Sequence, residues 1–208
     1  MNQKVKRAVW GKLLLVSQFA LFCALLVGNR DAGAQTPRRS FSADVVETMG
    51  KKVTNEKIYS SEQAVRVEKV ERGKLGVNIT RLDRKAVWTL FPEQKMYMDM
   101  GSLGQGSVEL AASVEGAKVE REPLGSEQVG AYQCDKYRVR TTYEGQVYTS
   151  LEWDAKELGG FPVKQADEKG GWSKEYKNIR LGPQDPSLFE IPADYKKVDF
   201  GSMIKPRS

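Results

Sequence analysis

Apolar and polar residues alternate with a period of two along much of the chain after residue 40. Phe41, Ala43 and Val45 alternate with Ser42, Asp44 and Val46, and Val77 and Ile79 repeat the pattern further on. Such alternation places one set of side chains on each face of a sheet, as in a half-buried strand. Turn sequences with glycine or clustered polar residues separate the runs. The first half of the chain therefore predicts an antiparallel meander.

The same pattern returns in the second half, after a break with three glycines at residues 101–106. For Ser107–Val114 we expect two turns of helix that form a flap or a covering helix, with Ser107 as N-cap. No 20–50-residue repeat and no linker divides the pattern, which predicts one domain. The predicted later strands are Lys118–Pro123, Tyr132–Tyr143, Gln146–Ala155, Phe161–Ala166 and Trp172–Leu181.

A hairpin of Ala86–Phe91 and Gln94–Met100 is apolar on both faces. We expect Pro92-Glu93 to be its two-residue loop, because proline suits the first central position of a type I turn. This register pairs Leu90 with Lys95 and Trp88 with Tyr97. One face then carries Trp88, Leu90 and Tyr97, and the other carries Val87, Phe91, Met96, Met98 and Met100.

An antiparallel strand pair that is apolar on both faces must be covered on both sides. Either a helix or loop covers one side and core the other, or one side lines a cavity for an apolar ligand. Methionine suits an adaptable lining because its side chain is flexible and polarizable. The pattern leaves open which face is concave, so the candidate lining residues come from both: Trp88, Leu90, Met96, Tyr97 and Met98.

Residues 1–34 have the features of a secretory signal peptide. Basic residues precede an apolar stretch of 15 residues, Leu13–Val27, and Ala32 and Ala34 supply the small residues of a cleavage site before Gln35. The stretch is short for a membrane helix of about 20 residues, although an uncleaved anchor is the alternative. We expect export to the periplasm or beyond, no stable transmembrane segment after cleavage, a flexible leader at 35–40, a β domain at 41–200 and a tail at 201–208.

The positive charge of the chain lies mainly in this first segment. Residues 1–34 hold five of the 33 basic and one of the 27 acidic residues. The rest of the chain therefore has 28 basic and 26 acidic residues. The remaining charges alternate in sign, as in Arg66–Arg72, and this is typical of a solvated strand face. Without a basic face, nucleic acid is not an expected partner.

The residue inventory excludes several kinds of chemistry. The chain has no histidine and two cysteines, which excludes Ser-His-Asp and Cys-His catalysis and the usual zinc sites. Carboxylate pairs such as Glu152/Asp154 and Glu120/Glu122 share a strand face and could act as acid and base, but such pairs are common on solvated sheets. Asp83 or Asp167-Glu168 could bind calcium, but neither has an EF-hand pattern. We expect no enzyme activity, no metal and no cofactor. Only Cys134 remains after cleavage, and a buried thiol is its simplest interpretation.

The order of these features resembles the uncharacterised branch of the LolA/LolB-like superfamily of periplasmic lipoprotein carriers. The resemblance covers about residues 41–200. It implies an unclosed, half β-barrel, in which one strongly curved antiparallel sheet has a helical or loop lid over its apolar, concave side. The segments that carry it are Phe41–Asp44, Trp88–Tyr97, Cys134–Val139, Gly160–Lys164, Glu175–Ile179 and Leu188–Tyr195.

Two functions follow from the pattern and the resemblance. The first is a soluble periplasmic binding protein for a hydrophobic or acylated ligand, such as a lipid or the acyl chain of a lipoprotein. The alternative is a protein–protein interaction module of the cell envelope, acting as a sensor, inhibitor or scaffold. An enclosed apolar cavity would favour the first, and an exposed apolar patch or sheet edge would favour the second.

Overall fold

A computed structural model describes residues 39–101, 118–143 and 145–199 of the chain. The predicted helix at Ser107–Val114, the lid and the signal peptide therefore lie outside the described residues. The strands are β1 (Phe41–Met49), β2 (Lys52–Ser60), β3 (Ala64–Glu71), β4 (Lys74–Arg81), β5 (Ala86–Phe91), β6 (Met96–Asp99), β7 (Lys118–Val129), β8 (Tyr132–Tyr143), β9 (Gln146–Ala155), β10 (Phe161–Asp167), β11 (Trp172–Leu181) and β12 (Lys196–Lys197).

The twelve described strands form one sheet that is not closed into a barrel. Their order is β12-β6-β5-β4-β3-β2-β1-β11-β10-β9-β8-β7, so the two halves of the chain meet where β1 pairs with β11. All pairs are antiparallel except β12 with β6. The expected half-barrel, mainly β architecture is confirmed. The described helical residues form short 3-10 turns at Pro92–Gln94, Lys156–Leu158 and Pro186–Phe189.

Local irregularities bend the sheet at three places. The β1–β11 register shifts between Ser42 and Asp44, opposite Asn178, whose φ is +51°. Asn178 Nδ2 donates a hydrogen bond to Asp44 Oδ2 at 2.7 Å, which holds this residue in the left-handed region. The β7–β8 and β9–β10 pairs shift register as well. Bulges of this kind increase the local twist and let an open sheet curve.

The register predicted for the β5–β6 hairpin was wrong by two residues. Leu90 pairs with Tyr97, and Phe91 pairs with Met96, so the loop contains four residues rather than two. Lys95 has φ +49° and its N–H bonds to Pro92 O, which extends the turn beyond the predicted loop. Because a slip of two residues keeps every side chain on its side of the sheet, the predicted division into two faces is preserved.

Two faces of the sheet can be followed from strand to strand through directly paired residues. The methionine face contains Ala43, Ile58, Val67, Asn78, Thr89 and Met98 as successive partners across β1 to β6. The tryptophan face lies opposite and contains Tyr59, Arg66, Ile79, Trp88 and Asp99 in the same way.

Candidate functional site

The five predicted lining residues lie on opposite faces of the sheet. Trp88, Leu90 and Tyr97 are on the tryptophan face, whereas Met96 and Met98 are on the methionine face. Trp88 and Leu90 are buried, at 9% and 1% exposure, and Met98 is 9% exposed. The five residues therefore do not form one lining, and only one of the two sets can line a given cavity.

The C-terminal segment at residues 182–199 covers the tryptophan face. Phe189 is the last residue of the 3-10 turn Pro186–Phe189 and packs with Trp88 and Leu90, so that it is 4% exposed. Ile191 and Tyr195 pack against the same cluster. The segment then pairs with β6 through β12. Residues of the C-terminal segment thus pack where a ligand would have to contact Trp88, Leu90 and Tyr97.

Arginines of β3, β4 and the following turn hold this segment in place. Arg66 Nη1 donates to Leu188 O at 3.0 Å, and Arg81 Nη1 donates to Phe189 O at 3.2 Å and to Glu190. Arg84 donates two hydrogen bonds to the Glu190 carboxylate, both at 2.8 Å. Burial raises the pKa of Glu190, but the bonds from Arg81 and Arg84 outweigh it and lower the pKa below its ordinary value. The carboxylate is therefore ionised and paired.

The methionine face has an apolar strip along β5 and β6. Met98 is buried, and Val87, Phe91 and Met96 are half-buried. Gly76 lies beside Phe91 on this face, because its neighbour Val77 pairs with Leu90. Glycine has no side chain to fill the space between Phe91 and the next strand, β3. On this face the strip is thus followed by a position without a side chain, Gly76, and then by Lys69 of β3.

Charged and polar side chains occupy the centre of the methionine face. Glu47, Lys174, Gln165 and Glu152 pair in succession across β1, β11, β10 and β9 and so point to one side. We use the term polar cluster for these four and their neighbours on the same face. The full set is Glu47, Glu56, Lys69, Arg121, Glu152, Asp154, Gln165 and Lys174.

Arg121 organises one end of the cluster. Its guanidinium donates to Glu152 and, at 2.6 Å, to Asp154 Oδ2, and it lies 4.3 Å from the centroid of the Tyr137 ring. Gln165 Nε2 donates to the other oxygen of Glu152 at 2.8 Å. Burial lowers the pKa of Arg121, but the charges of Glu152 and Asp154 outweigh it and raise the pKa. Arg121 therefore stays charged between two carboxylates.

Glu56 occupies the other end of the cluster. It is 8% exposed, and its Oε1 lies 3.6 Å from Lys69 Nζ, which also contacts Glu71 at 3.0 Å. Burial raises the pKa of Glu56 above its ordinary value, although the charges of Lys174 and Lys69 oppose this. Trp172 Nε1 donates to Glu47 Oε1 at 2.9 Å nearby. This end holds a carboxyl group that gives up its proton less readily than usual.

Two buried acceptor atoms in the cluster have no hydrogen-bond partner among the described residues, Gln165 Oε1 and Glu56 Oε1. Gln165 is 2% exposed. Buried polar atoms are normally hydrogen-bonded, so each exception needs an explanation. Sequence analysis missed this arrangement because it treated Glu152/Asp154 as a solvated pair, and both prove to be buried. The strand around Gln165 also carries Lys164, so the sequence did not show which of these two polar residues is buried.

Other candidate chemistry falls elsewhere. Glu120 and Glu122 are exposed and pair with Lys118 and Arg138. Asp83 is held by Arg81. The described part of the chain contains no group of three or more acidic or cysteine side chains that could hold a metal ion.

Cys134 is fully buried, as interpreted from the sequence. Across residues 39–101, 118–143 and 145–199, no helix has the length and apolarity needed to cross a membrane.

A single, almost entirely antiparallel β-sheet that is not closed into a barrel places the protein in the class of half-barrel β proteins. Residues 44–153, more than half of the chain, match the family described as a domain of unknown function, DUF4412. The chain belongs to this family. Membership of the LolA/LolB-like carriers stays a prediction, although the architecture that the resemblance implied is present.

A solved structure shares this fold. A crystal structure of an uncharacterized conserved protein from Thermus thermophilus is 14% identical, with a TM-score of 0.52 over 77% of this chain and 90% of that chain. A MucA/MucB complex from Pseudomonas aeruginosa is 12% identical, with a TM-score of 0.49 over 78% of this chain and 59% of that chain. At these identities the likeness concerns the fold alone. No curated protein sequence matches the chain.

Proposed function

We propose that this protein is an exported, non-catalytic binding protein that holds a hydrophobic or acylated ligand on its methionine face. The observation that carries the proposal is the position of Met96 and Met98, on the face opposite the one that the C-terminal segment covers. The apolar strip of Val87, Phe91, Met96 and Met98 lies near one edge of the sheet on this face.

The driving force would be burial of acyl methylenes, which contributes about 0.8 kcal/mol for each CH₂ group removed from water. Methionine side chains can adapt to chains of different shape, because they have three rotatable bonds and a polarizable sulfur. The tryptophan face is a poorer site, since a ligand there would have to displace Phe189 from a packed core. The proposal therefore keeps Met96 and Met98 as ligand contacts and assigns Trp88, Leu90 and Tyr97 to the core.

A titration of the purified protein with a fluorescent fatty-acyl probe tests this function. We expect Met96→Glu to weaken probe binding about tenfold or more, because a charge would face the acyl chain. The matched control is Val147→Glu, at a position that is 62% exposed on β9, and it should bind as the parent does. Circular dichroism checks the fold of both variants. Absence of probe binding to the parent, or equal binding by both variants, would contradict the proposal.

A second candidate, docking of an envelope protein, is favoured by the edge strand β7. Among the described strands β7 pairs only with β8, and most of its twelve residues are exposed, including Leu124. A free edge can accept an extended segment of another protein. Pro123 and the bulge beside Gly125 interrupt this edge and leave two short stretches for pairing.

Photo-cross-linking from an unnatural residue at Glu120 in cells tests this candidate. The expected result is one cross-linked protein partner that is lost when Ser126 is replaced by proline, since proline removes a backbone donor at the edge. The same cross-linker at exposed Val147, away from this edge, serves as the control. An identical set of cross-links from both positions would argue against docking at β7.

A further inference from the structure

We propose that the polar cluster recognises a primary ammonium head group, so that the ligand is an amine-bearing amphiphile whose acyl part lies along the apolar strip of the methionine face. This inference rests on the proposed function and adds the chemistry of the ligand's polar end. The observation behind it is Gln165 on β10, which is 2% exposed and whose Oε1 atom is unpartnered among the described residues.

The free hydrogen-bonding capacity of the cluster consists of acceptors. Gln165 Oε1 has no donor within hydrogen-bonding distance in the described part of the chain, and Glu56 Oε1 has only the ammonium of Lys69, 3.6 Å away. The donors of the same cluster are engaged, with Arg121 on Glu152 and Asp154, and with Gln165 Nε2 on Glu152. A group that completes the cluster must therefore bring N–H or O–H donors. An ammonium group carries three donors and no acceptor.

The charges of the cluster favour a cation. Four carboxylates, those of Glu47, Glu56, Glu152 and Asp154, lie on this face with three basic groups, those of Lys69, Lys174 and Arg121. Lys69 is shared with the exposed Glu71, which further reduces the positive charge available to the cluster. A carboxylate or phosphate head group would meet Glu56, Glu152 and the oxygen of Gln165. Like charges in a poorly solvated site repel strongly, so an anionic ligand is disfavoured.

The cluster and the apolar strip are contiguous on one face. From Met96 the strip passes Phe91 and Gly76 to Lys69, which pairs with Glu56. Neighbouring strands are about 4.8 Å apart, so the distance from β6 to β2 is about 19 Å. An extended amphiphile of this length can place its chain near Met96 and its head at the Glu56 end of the cluster.

Calorimetric titration of the purified full chain with dodecylamine, dodecanol and dodecanoate, all below their aggregation concentrations, tests the inference. The three probes share one chain length and differ in the head group. Butylamine, which has the head group without the long chain, is the fourth probe. We expect dodecylamine to bind at least about tenfold more tightly than dodecanoate, since a charge-assisted hydrogen bond is stronger than a neutral one. Butylamine should bind more weakly than dodecylamine, because it lacks most of the apolar contact.

The variant Gln165→Leu removes the free acceptor at similar size. It should reduce the affinity for dodecylamine about tenfold and the affinity for dodecanol by less, because a hydrogen bond from a neutral hydroxyl is weaker than a charge-assisted one. The control is Gln133→Leu, the same exchange at an exposed position, which should change neither affinity. Glu56→Gln is the second test, and it should weaken dodecylamine binding by removing a negative charge. Urea unfolding checks that each variant is folded.

The outcomes separate the two proposals. Equal affinities for the three long-chain probes would overturn the ammonium inference and leave hydrophobic binding in place. A preference for dodecylamine that persists in both Gln165→Leu and Glu56→Gln would also overturn it, because the recognition would then lie elsewhere. If butylamine binds as tightly as dodecylamine, the head-group inference holds and the proposed acyl site fails. If no probe binds, both proposals fail.

Discussion

Arg81 Nη1 donates a hydrogen bond to Glu190 Oε1 across 109 positions of the chain, and this pair ties the C-terminal segment to the sheet. Arg81 is 9% exposed and also donates to Asp83 and to Phe189 O. The contact explains how a segment that makes only two residues of strand keeps Phe189 in the core of the tryptophan face. It also gives the covered face a defined point of attachment.

Replacing Arg81 by methionine should destabilise the protein. Asp83 and Glu190 lose their common donor, and Phe189 O loses one hydrogen bond, but both carboxylates are partly solvated. We therefore expect a loss of about 1–3 kcal/mol in the free energy of unfolding, measured in urea. Arg84→Met is the matched control, because the Arg84 side chain is 48% exposed, and it should change stability by less than about 1 kcal/mol. Equal losses in the two variants would contradict a special role for Arg81.

The strands themselves were accessible from the sequence. The bounds predicted for Tyr132–Tyr143, Gln146–Ala155 and Trp172–Leu181 agree with the structure, because period-two alternation and glycine turns define these strands locally. The extension of β7 to Val129 was missed, since Pro123 and the polar residues after it are typical of the end of a strand. The hairpin loop was missed because Lys95 adopts a positive φ without being a typical turn residue.

The polar cluster could not be predicted from local sequence patterns, because its residues lie on strands that are distant along the chain. Glu47 and Lys174 face each other only because β1 pairs with β11, across more than a hundred residues of chain. Alternating charges on a strand look the same whether that face is solvated or buried. The division of Trp88 and Met98 between two faces was predictable, but the choice of the covered face was decided by Phe189, far along the chain.

The titration of Glu56 should make the free energy of unfolding depend on pH. Burial raises its native pKa above the ordinary value of 4.5, so the native state holds the proton more tightly than the unfolded chain does. The stabilising contribution is then complete below the unfolded pKa and is lost as pH rises through the native pKa. Glu56→Gln should therefore gain stability relative to the parent as pH is raised from about 4 to 7.

Glu71→Gln provides a control of opposite sign. The hydrogen bond from Lys69 lowers the pKa of Glu71, so its contribution is present above the unfolded pKa and lost as pH falls through the native pKa. Urea midpoints at several pH values measure both variants. A stability difference between Glu56→Gln and the parent that stays constant with pH would show that Glu56 titrates normally.

Cys134 should be inert in the folded protein. Its side chain is fully buried, and burial raises the pKa of its thiol, so both access and thiolate are lacking. In a Cys23→Ser background, a thiol reagent at pH 8 should modify Cys134 only after urea is added. The same protein should remain free of intermolecular disulfide under air. Rapid modification without denaturant would mean that the β8–β9 end of the sheet opens readily.

Arg121 keeps two buried carboxylates, Glu152 and Asp154, paired with a cation. Arg121→Met should destabilise the protein by about 3 kcal/mol, because it leaves Glu152 and Asp154 buried beside each other without their cation. The matched control is Arg138→Met on the opposite face of β8, whose partners Glu122 and Glu168 are well exposed, and it should cost less than about 1 kcal/mol. Urea unfolding measures both.

Replacing Arg121, Glu152 and Asp154 together by apolar residues of similar size should restore stability to the parent level or above it, as buried ion networks often cost as much as they contribute. If the triple variant is stable but has lost its preference for dodecylamine, the charges are retained for recognition rather than for folding. If it is as unstable as Arg121→Met alone, the network is a structural necessity of this sheet, and the polar cluster would need no ligand to explain it.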